Sequence, residues 1–266
     1  GAAAFEGGGS IALRHVGWHH HVHAPFWFHP FITFGPRQEQ KRNMNVKSSL
    51  TVVIPTRNAA ATLPRCLAAL KVGAGLIADV IIVDGGSTDG TPGLAPGVTW
   101  LRAAPSRGGQ LRVGAAAAGT AFLLFLHADT RLAAGWPAAV EAAMGMPGEA
   151  QYFRFRLDSE RFAARVLEAV VALRCRVLRL PYGDQGLLIS RALLDEVGGV
   201  PDLPLMEDVA LARRLRGRLR AMPVAAVTSA ARYERDGWVR RPLRNVLCLA
   251  LYFAGVSPAR IKRLYD

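Results

Sequence analysis

The stretch Phe122–Leu132, FLLFLHADTRL, holds an apolar run that stops at His127-Ala128-Asp129. Ala121–Leu126 has the composition of a fully buried strand. In an open sheet covered by helices, ligands collect beyond the carboxyl ends of the strands. A polar triplet there is placed for chemistry. If the chain stays extended, alternation puts His127 and Asp129 on one side. Imidazole and carboxylate together suit a divalent cation. The stretch therefore reads as the cation and phosphate end of a nucleotide site.

Two other strand ends belong to the same edge. Leu50–Pro55 (LTVVIP) and Val80–Val83 (VIIV) are short β-branched runs, the mark of buried strands. The first ends in Pro55-Thr56-Arg57-Asn58, the second in Asp84-Gly85-Gly86-Ser87. Asp84 can accept from a base N–H or a ribose hydroxyl, and the glycines allow close approach of backbone to ligand. The competing reading is that Asp84 and Ser87 organise a turn. Arg107 and Gln110 open a helix after a glycine-rich turn, a geometry that favours phosphate.

The supporting elements follow from periodicity. Thr62–Leu70 has helical spacing with Thr62 as N-cap. Val98–Leu101 is a third strand, Gly108–Ala118 a small-residue helix, and Pro137–Met144 a helix with proline in its first turn. Strand and helix alternate, which implies a mostly parallel central sheet flanked by helices. Gln151–Leu157 alternates as a strand. Arg161–Leu178 is amphipathic, with Arg161, Arg165, Glu168, Arg176 and Arg179 on one face and Phe162, Val166, Val170 and Val177 on another. Gly186–Ser190 and Val227–Tyr233 read as strands, Arg191–Val197, Glu207–Leu215 and Pro242–Ala254 as helices. Pro258–Asp266 is basic.

The chain has 266 residues, 51% hydrophobic, with 33 Lys and Arg against 20 Asp and Glu, a formal net charge of +13. That suits one large α/β domain and an anionic partner. Cys66, Cys175 and Cys248 show no metal-ligand spacing, and a sparse odd set suggests a reducing, cytoplasmic setting. No run reaches the ~18–20 apolar residues of a transmembrane helix. Residues 1–46 are Gly-rich and hold six of the seven histidines. They read as a flexible leader or extension outside the fold. Residues 47–266 read as one domain: 47–132 for the nucleotide, 133–240 for the acceptor, 241–266 as basic and apolar helices.

The wording TVVIPTRNAAATLPRCLAAL, then VIIVDGGSTDGT, FLHADT and Glu207-Asp208-Val209-Ala210-Leu211 with Arg214 and Leu215, resembles the family 2 glycosyltransferases of GT-A fold. RGGQLRVGA, YGDQGLLISR, PLMEDVAL and TSAARY are similar to a compact bacterial subgroup associated with arsenosugar biosynthesis. Two positions depart from the family pattern: His127 stands for the first Asp of its Asp-X-Asp motif, and Gly85 for the second Asp after strand two.

The resemblance implies a nucleotide-diphosphate sugar donor and an acceptor hydroxyl. Asp129 is then the ligand of Mg²⁺ or Mn²⁺. Pro55, Thr56, Asn58, Asp84, Gly85, Ser87, Arg107, Gln110, His127 and Ala128 form the donor site. Asp208 is the base, and Asp184, Gln185 and Glu207 meet the acceptor. Nucleoside diphosphate is a good leaving group, so one carboxylate suffices, and direct displacement inverts the anomeric centre. The basic surface is compatible with an anionic membrane at its inner face, and no nucleic acid is expected. The rivals are a nucleotidyltransferase, which needs a glycine-rich basic loop after strand one, and a non-catalytic basic binding module, which leaves the acidic strand ends unexplained.

Overall fold

The structure, a computed structural model, describes residues 50–265. They belong to a compact unit spanning Met44–Asp266; the expected leader, 1–46, lies outside the described residues. In chain order the elements are β1 (Leu50–Thr56), α1 (Leu63–Leu70), β2 (Ile77–Asp84), β3 (Thr99–Arg102), α2 (Arg107–Ala117), β4 (Phe122–Phe125), β5 (Thr130–Leu132) and α3 (Trp136–Met144). Then follow β6 (Ala150–Leu157), α4 (Phe162–Leu178), β7 (Leu187–Ser190), α5 (Arg191–Glu196), α6 (Glu207–Arg214), β8 (Leu219–Thr228), α7 (Ala231–Asp236), α8 (Arg240–Phe253) and α9 (Pro258–Tyr265).

The eight strands form one sheet in the order β3-β2-β1-β4-β7-β6-β8-β5. The first four pair in parallel, as the strand–helix alternation predicts. From β4 onward the sheet changes character. β7 runs antiparallel to both β4 and β6, and β5 antiparallel to β8, while β6 and β8 are parallel. The sheet is therefore mixed, which corrects the expectation of a mostly parallel one. β7 follows β6 through α4 and still pairs antiparallel with it, inserted between β4 and β6, so an intervening helix does not by itself impose parallel pairing.

Side-chain alternation divides the core between the two sheet faces. Val53, Ile81, Val83, Leu123 and Phe125 join one cluster, while Val52, Ile54, Ile82, Leu124 and Leu126 join the other. Each such side chain, fully buried, contributes roughly 1.5–3 kcal/mol. Helix α2 presses directly on this sheet. A Cβ on Gly114 would lie 2.3 Å from Val53 Cγ1, so only glycine permits that approach. Thr62 sits just before α1 but caps nothing; its hydroxyl donates to Ala59 O instead (3.4 Å).

Both of the faces expected for α4 are largely exposed, Arg161, Arg176 and Arg179 as well as the apolar one. The inner side of the helix is Ala164, Val171 and Cys175. The apolar residues Phe162, Val166, Val170 and Val177 face solvent.

Candidate active site

The carboxyl ends of β2, β1 and β4 lie side by side, since Val53 pairs with Phe125 and Thr56 with Asp84. At the β2 end, Asp84 is almost fully buried. Its Oδ2 accepts from Gly86 N and Ser87 N (both 3.0 Å), and its Oδ1 from the Ser87 and Thr56 hydroxyls. Burial opposes its charge, but these hydrogen bonds prevail and hold the carboxyl below its ordinary pKa. Asn58, in a left-handed conformation (φ 52°), receives Thr88 N on its Oδ1 (2.9 Å), and its own N–H donates to Ser87 Oγ (2.8 Å). The Pro55–Asn58 and Asp84–Ser87 segments thus form one interlocked turn.

Gln110 does not reach outward from this turn. Its Nε2 donates to Thr56 O (2.8 Å) and Val83 O (2.7 Å), and a Cβ on Gly85 would come within 3.1 Å of it. It fastens α2 to two strand ends with its donor nitrogen, which serves these carbonyls in place of the expected phosphate contact. Ala128 likewise packs into the core.

A hollow of about 100 Å³ is lined by Arg107, His127, Asp129, Asp184, Asp208 and Arg232, among others; the Pro55–Asn58 and Asp84–Ser87 segments are not part of its lining. Residues from α2, the segment between β4 and β5, the loop before β7, α6, α7 and α8 meet there. His127 and Asp129 do not get there by strand alternation. The chain turns at 127–130, with Thr130 N donating to His127 O (3.1 Å), and both side chains still reach the hollow. Asp129 Oδ2 lies 3.5 Å from Arg232 Nη2.

His127 is half-buried and packs against Gly183: a Cβ there would sit 2.5 Å from His127 Nε2, so a larger residue would displace the imidazole. That nitrogen has no hydrogen-bond partner among the described residues. Burial first, then the Arg107 charge, push its pKa down to about 3, so the imidazole is neutral. Gly183 N donates to Asp208 Oδ2 (2.9 Å), and Val209 N to Asp208 Oδ1 (2.7 Å). Both carboxylate oxygens are therefore oriented by backbone at the start of α6. The preceding Met206 takes φ 66°, a strained conformation for a side-chain-bearing residue.

Two more acids crowd the site. Asp184 is pushed up to about 6, by burial and then by Asp208 and Asp129 against the opposing pull of Arg174. Glu207 rises to about 7 through burial, with Asp208 adding and Arg107 opposing. Glu207 faces a second, mostly apolar hollow lined by Leu111, Phe125 and Leu211 as well as His127 and Asp208. Its nearest cation is Arg107 Nη1 at 3.6 Å.

Gln185 is a correction of the same kind as Gln110. It is buried, its Oε1 accepts from Arg174 Nη2, Tyr182 N and Cys175 Sγ, and its Nε2 donates to Phe153 O. None of it faces the hollow. Arg214 serves the carbonyls of Val197, Gly198 and Gly199. The residues that sequence reasoning missed are Arg232, Tyr182, Asn245 and Tyr265. Arg232 stands inside the TSAARY wording; Asn245 and Tyr265 carry no sequence signal.

Among the described residues no three His, Cys, Asp or Glu side chains form a metal cage. Mg²⁺ and Mn²⁺ sites that share a substrate's phosphates need only one or two carboxylates. Asp129 supplies one, so the residues fit a cation that arrives with a diphosphate.

With this geometry in view, the comparisons with known proteins are specific. Residues 51–145, from β1 through α3, match the family model described as Glycosyl transferase family 2. No curated protein matches the chain. Among solved structures, S. aureus TarS is similar with a TM-score of 0.55 at 14% identity, over 81% of this chain and 42% of that one. A TarS 1-349 structure in complex with UDP-GlcNAc gives 0.54 at 15%, over 82% and 70%. The mannosyltransferase PcManGT from Pyrobaculum calidifontis, in complex with GDP-Man and Mn²⁺, gives 0.53 at 20%, over 82% and 68%. The fold is GT-A. The chain spans about two fifths of the full TarS chain.

Proposed function

We propose that the protein is an inverting, metal-dependent glycosyltransferase of family 2 that moves a sugar from a nucleoside-diphosphate donor to an acceptor hydroxyl. The single observation that carries this reading is the meeting of Asp129 and Asp208 in one hollow with Arg107 and Arg232. The neighbours in complex with UDP-GlcNAc and with GDP-Man and Mn²⁺ lend it support.

The donor base and ribose lie against Pro55, Thr56, Asn58 and the Asp84-Gly85-Gly86-Ser87 turn, with the diphosphate toward Arg107, His127 and Asp129. Asp129 would hold Mg²⁺ or Mn²⁺, which offsets charge on the leaving diphosphate. Arg107 adds a fixed positive charge. Burial works against that charge, but Glu207 and Asp208 raise its pKa above the ordinary value. Neutral His127 shapes the wall and donates or accepts one hydrogen bond at Nε2. Asp208 takes the proton of the acceptor hydroxyl as its oxygen bonds to the anomeric carbon and the bond to diphosphate breaks. No acid is needed to protonate the leaving group, unlike glycoside hydrolysis. Asp184 and Glu207 border the acceptor; Gln110 and Gln185 position backbone around both substrates. The location proposed is cytoplasmic, at the inner face of the membrane, in keeping with three free, buried cysteines.

The test is a thermal-shift screen of nucleoside diphosphates with and without Mn²⁺. Binding to the native state raises the midpoint by mass action. A Mn²⁺-dependent response to UDP or GDP that disappears in Asp129→Ala is expected. A response unchanged in that variant refutes the donor site.

A further inference from the structure

We infer that α4 lies flat on an anionic lipid surface, using the apolar side it turns away from the protein. Phe162, Val166, Val170, Leu173 and Val177 are 83%, 46%, 56%, 61% and 67% exposed. Their spacing of four, four, three and four residues makes a single stripe, roughly 22 Å long at the helical rise. The inner side of the helix is already filled by Ala164, Val171 and Cys175, so the stripe is surplus to the core. Contiguous apolar surface of this kind marks an interaction site.

The charges around the stripe select its occupant. Arg161 precedes it, beside exposed Glu160 and 3.9 Å from Glu234, and Arg176 and Arg179 close it, all exposed. The one acid within α4, Glu168, is turned inward, accepting from Leu157 N (2.8 Å) and pairing with Arg165 (2.8 Å). Two copies docked in parallel would oppose Arg161 to Arg161; docked antiparallel, Arg161 to Arg176 and Arg179. Residues 1–49 carry five Lys and Arg against two Glu, the same sign again. Lipid phosphates have the opposite sign and accept apolar side chains beneath them.

Helix α8 repeats the pattern. Arg241 and Cys248 are its buried side, while Leu243, Val246 and Leu247 are more than half exposed and Arg240 precedes them. Among the described residues no helix is long and apolar enough to cross a membrane, so the attachment is interfacial.

Co-sedimentation of the full chain with phosphatidylcholine vesicles, with and without about 30 mol% phosphatidylglycerol, tests this. The wild type is expected to bind the anionic vesicles. The double variant Val170→Asp, Leu173→Asp should lose about tenfold or more in partition, with its melting midpoint unchanged because both sites are outside the core. Arg176→Glu with Arg179→Glu should weaken binding to the anionic vesicles only. Absence of wild-type binding, or equal binding by the Val170/Leu173 variant, overturns the inference. So does a wild-type dimer in sedimentation equilibrium that this variant converts to monomer, since the stripe is then a self-interface. None of these outcomes depends on nucleotide binding, so the transferase reading stands or falls separately.

Discussion

Replacing Glu207 with Gln perturbs one proton in a defined pH window. Glu207 is 2% exposed, and neither carboxylate oxygen has a hydrogen-bond partner among the described residues. Arg107, 3.6 Å away, does not offset the cost of burying the charge. The carboxyl therefore titrates near 7 in the folded protein against an ordinary 4.5. Between those values the native state holds a proton that the unfolded chain has released. Stability then falls as pH rises, by about 1.4 kcal/mol per pH unit. The neutral carboxyl's contribution is complete below about pH 4.5 and is lost as pH passes through about 7. Integrated over the window, the term is on the order of 3 kcal/mol. Gln keeps the shape and cannot ionise, so Glu207→Gln lacks the term. Urea unfolding of both proteins at several pH values from 5 to 8 reads it directly. The variant should gain on the wild type by about 3 kcal/mol from the acid to the alkaline end. Parallel stability curves would mean that Glu207 is ionised throughout, and the account of its burial would be wrong.

Three further predictions concern neighbours of that residue. Asp208→Asn should keep the nucleotide response and lose transfer by roughly 10²–10⁴-fold; retained turnover removes Asp208 as the base. Gly183→Ala places a methyl group 2.5 Å from His127 Nε2, so unfolding should come about 1–3 kcal/mol sooner and turnover should fall with it. An unchanged urea midpoint would show that His127 has room to move. Gln185→Leu strands the Tyr182 N–H, Phe153 O and Arg174 contacts, at about 1–3 kcal/mol for each group left unpaired. A stability loss under about 1 kcal/mol in the same assay would contradict the structural role given to that amide.

The parallel half of the fold was legible because its strands are unbroken apolar runs, LTVVIP, VIIV and AFLLFL, each followed by a polar end. The antiparallel half was not, because an alternating strand such as Gln151–Leu157 says which faces it has and nothing about its neighbours. Periodicity separated an arginine face and an apolar face of α4, yet the inner side is a third one, Ala164, Val171 and Cys175. The acids proposed for the site stand out in the sequence as strand-end and helix-start residues. The amides were misread for a physical reason: Gln110 and Gln185 have the same chemistry whether they bind a ligand or a buried carbonyl, and only burial distinguishes the two. Arg232 escaped notice because an arginine on a short, mostly exposed helix looks like surface until Asp129 is seen 3.5 Å away.

The pairing of charges around the hollow explains why so many acids can lie in and near it before any substrate is present. Arg107 faces Glu207, Arg232 faces Asp129, and Arg241 is held by Asp236 at 2.6 Å. Crowding and burial move Asp184 and Glu207 toward neutrality, which lowers the negative potential that an incoming diphosphate would meet. Of the three arginines, Arg241 is nearly buried while Arg232 is half exposed. An exposed pair at 3.5 Å is a weak one, so Arg232 can leave Asp129 for a phosphate oxygen at little cost. That leaves Asp129 able to take a cation, while Asp208, fixed by two backbone N–H groups, keeps its place for the acceptor. The division is between a carboxylate whose partner can change and a carboxylate whose orientation cannot, which suits the proposed roles of metal ligand and general base respectively.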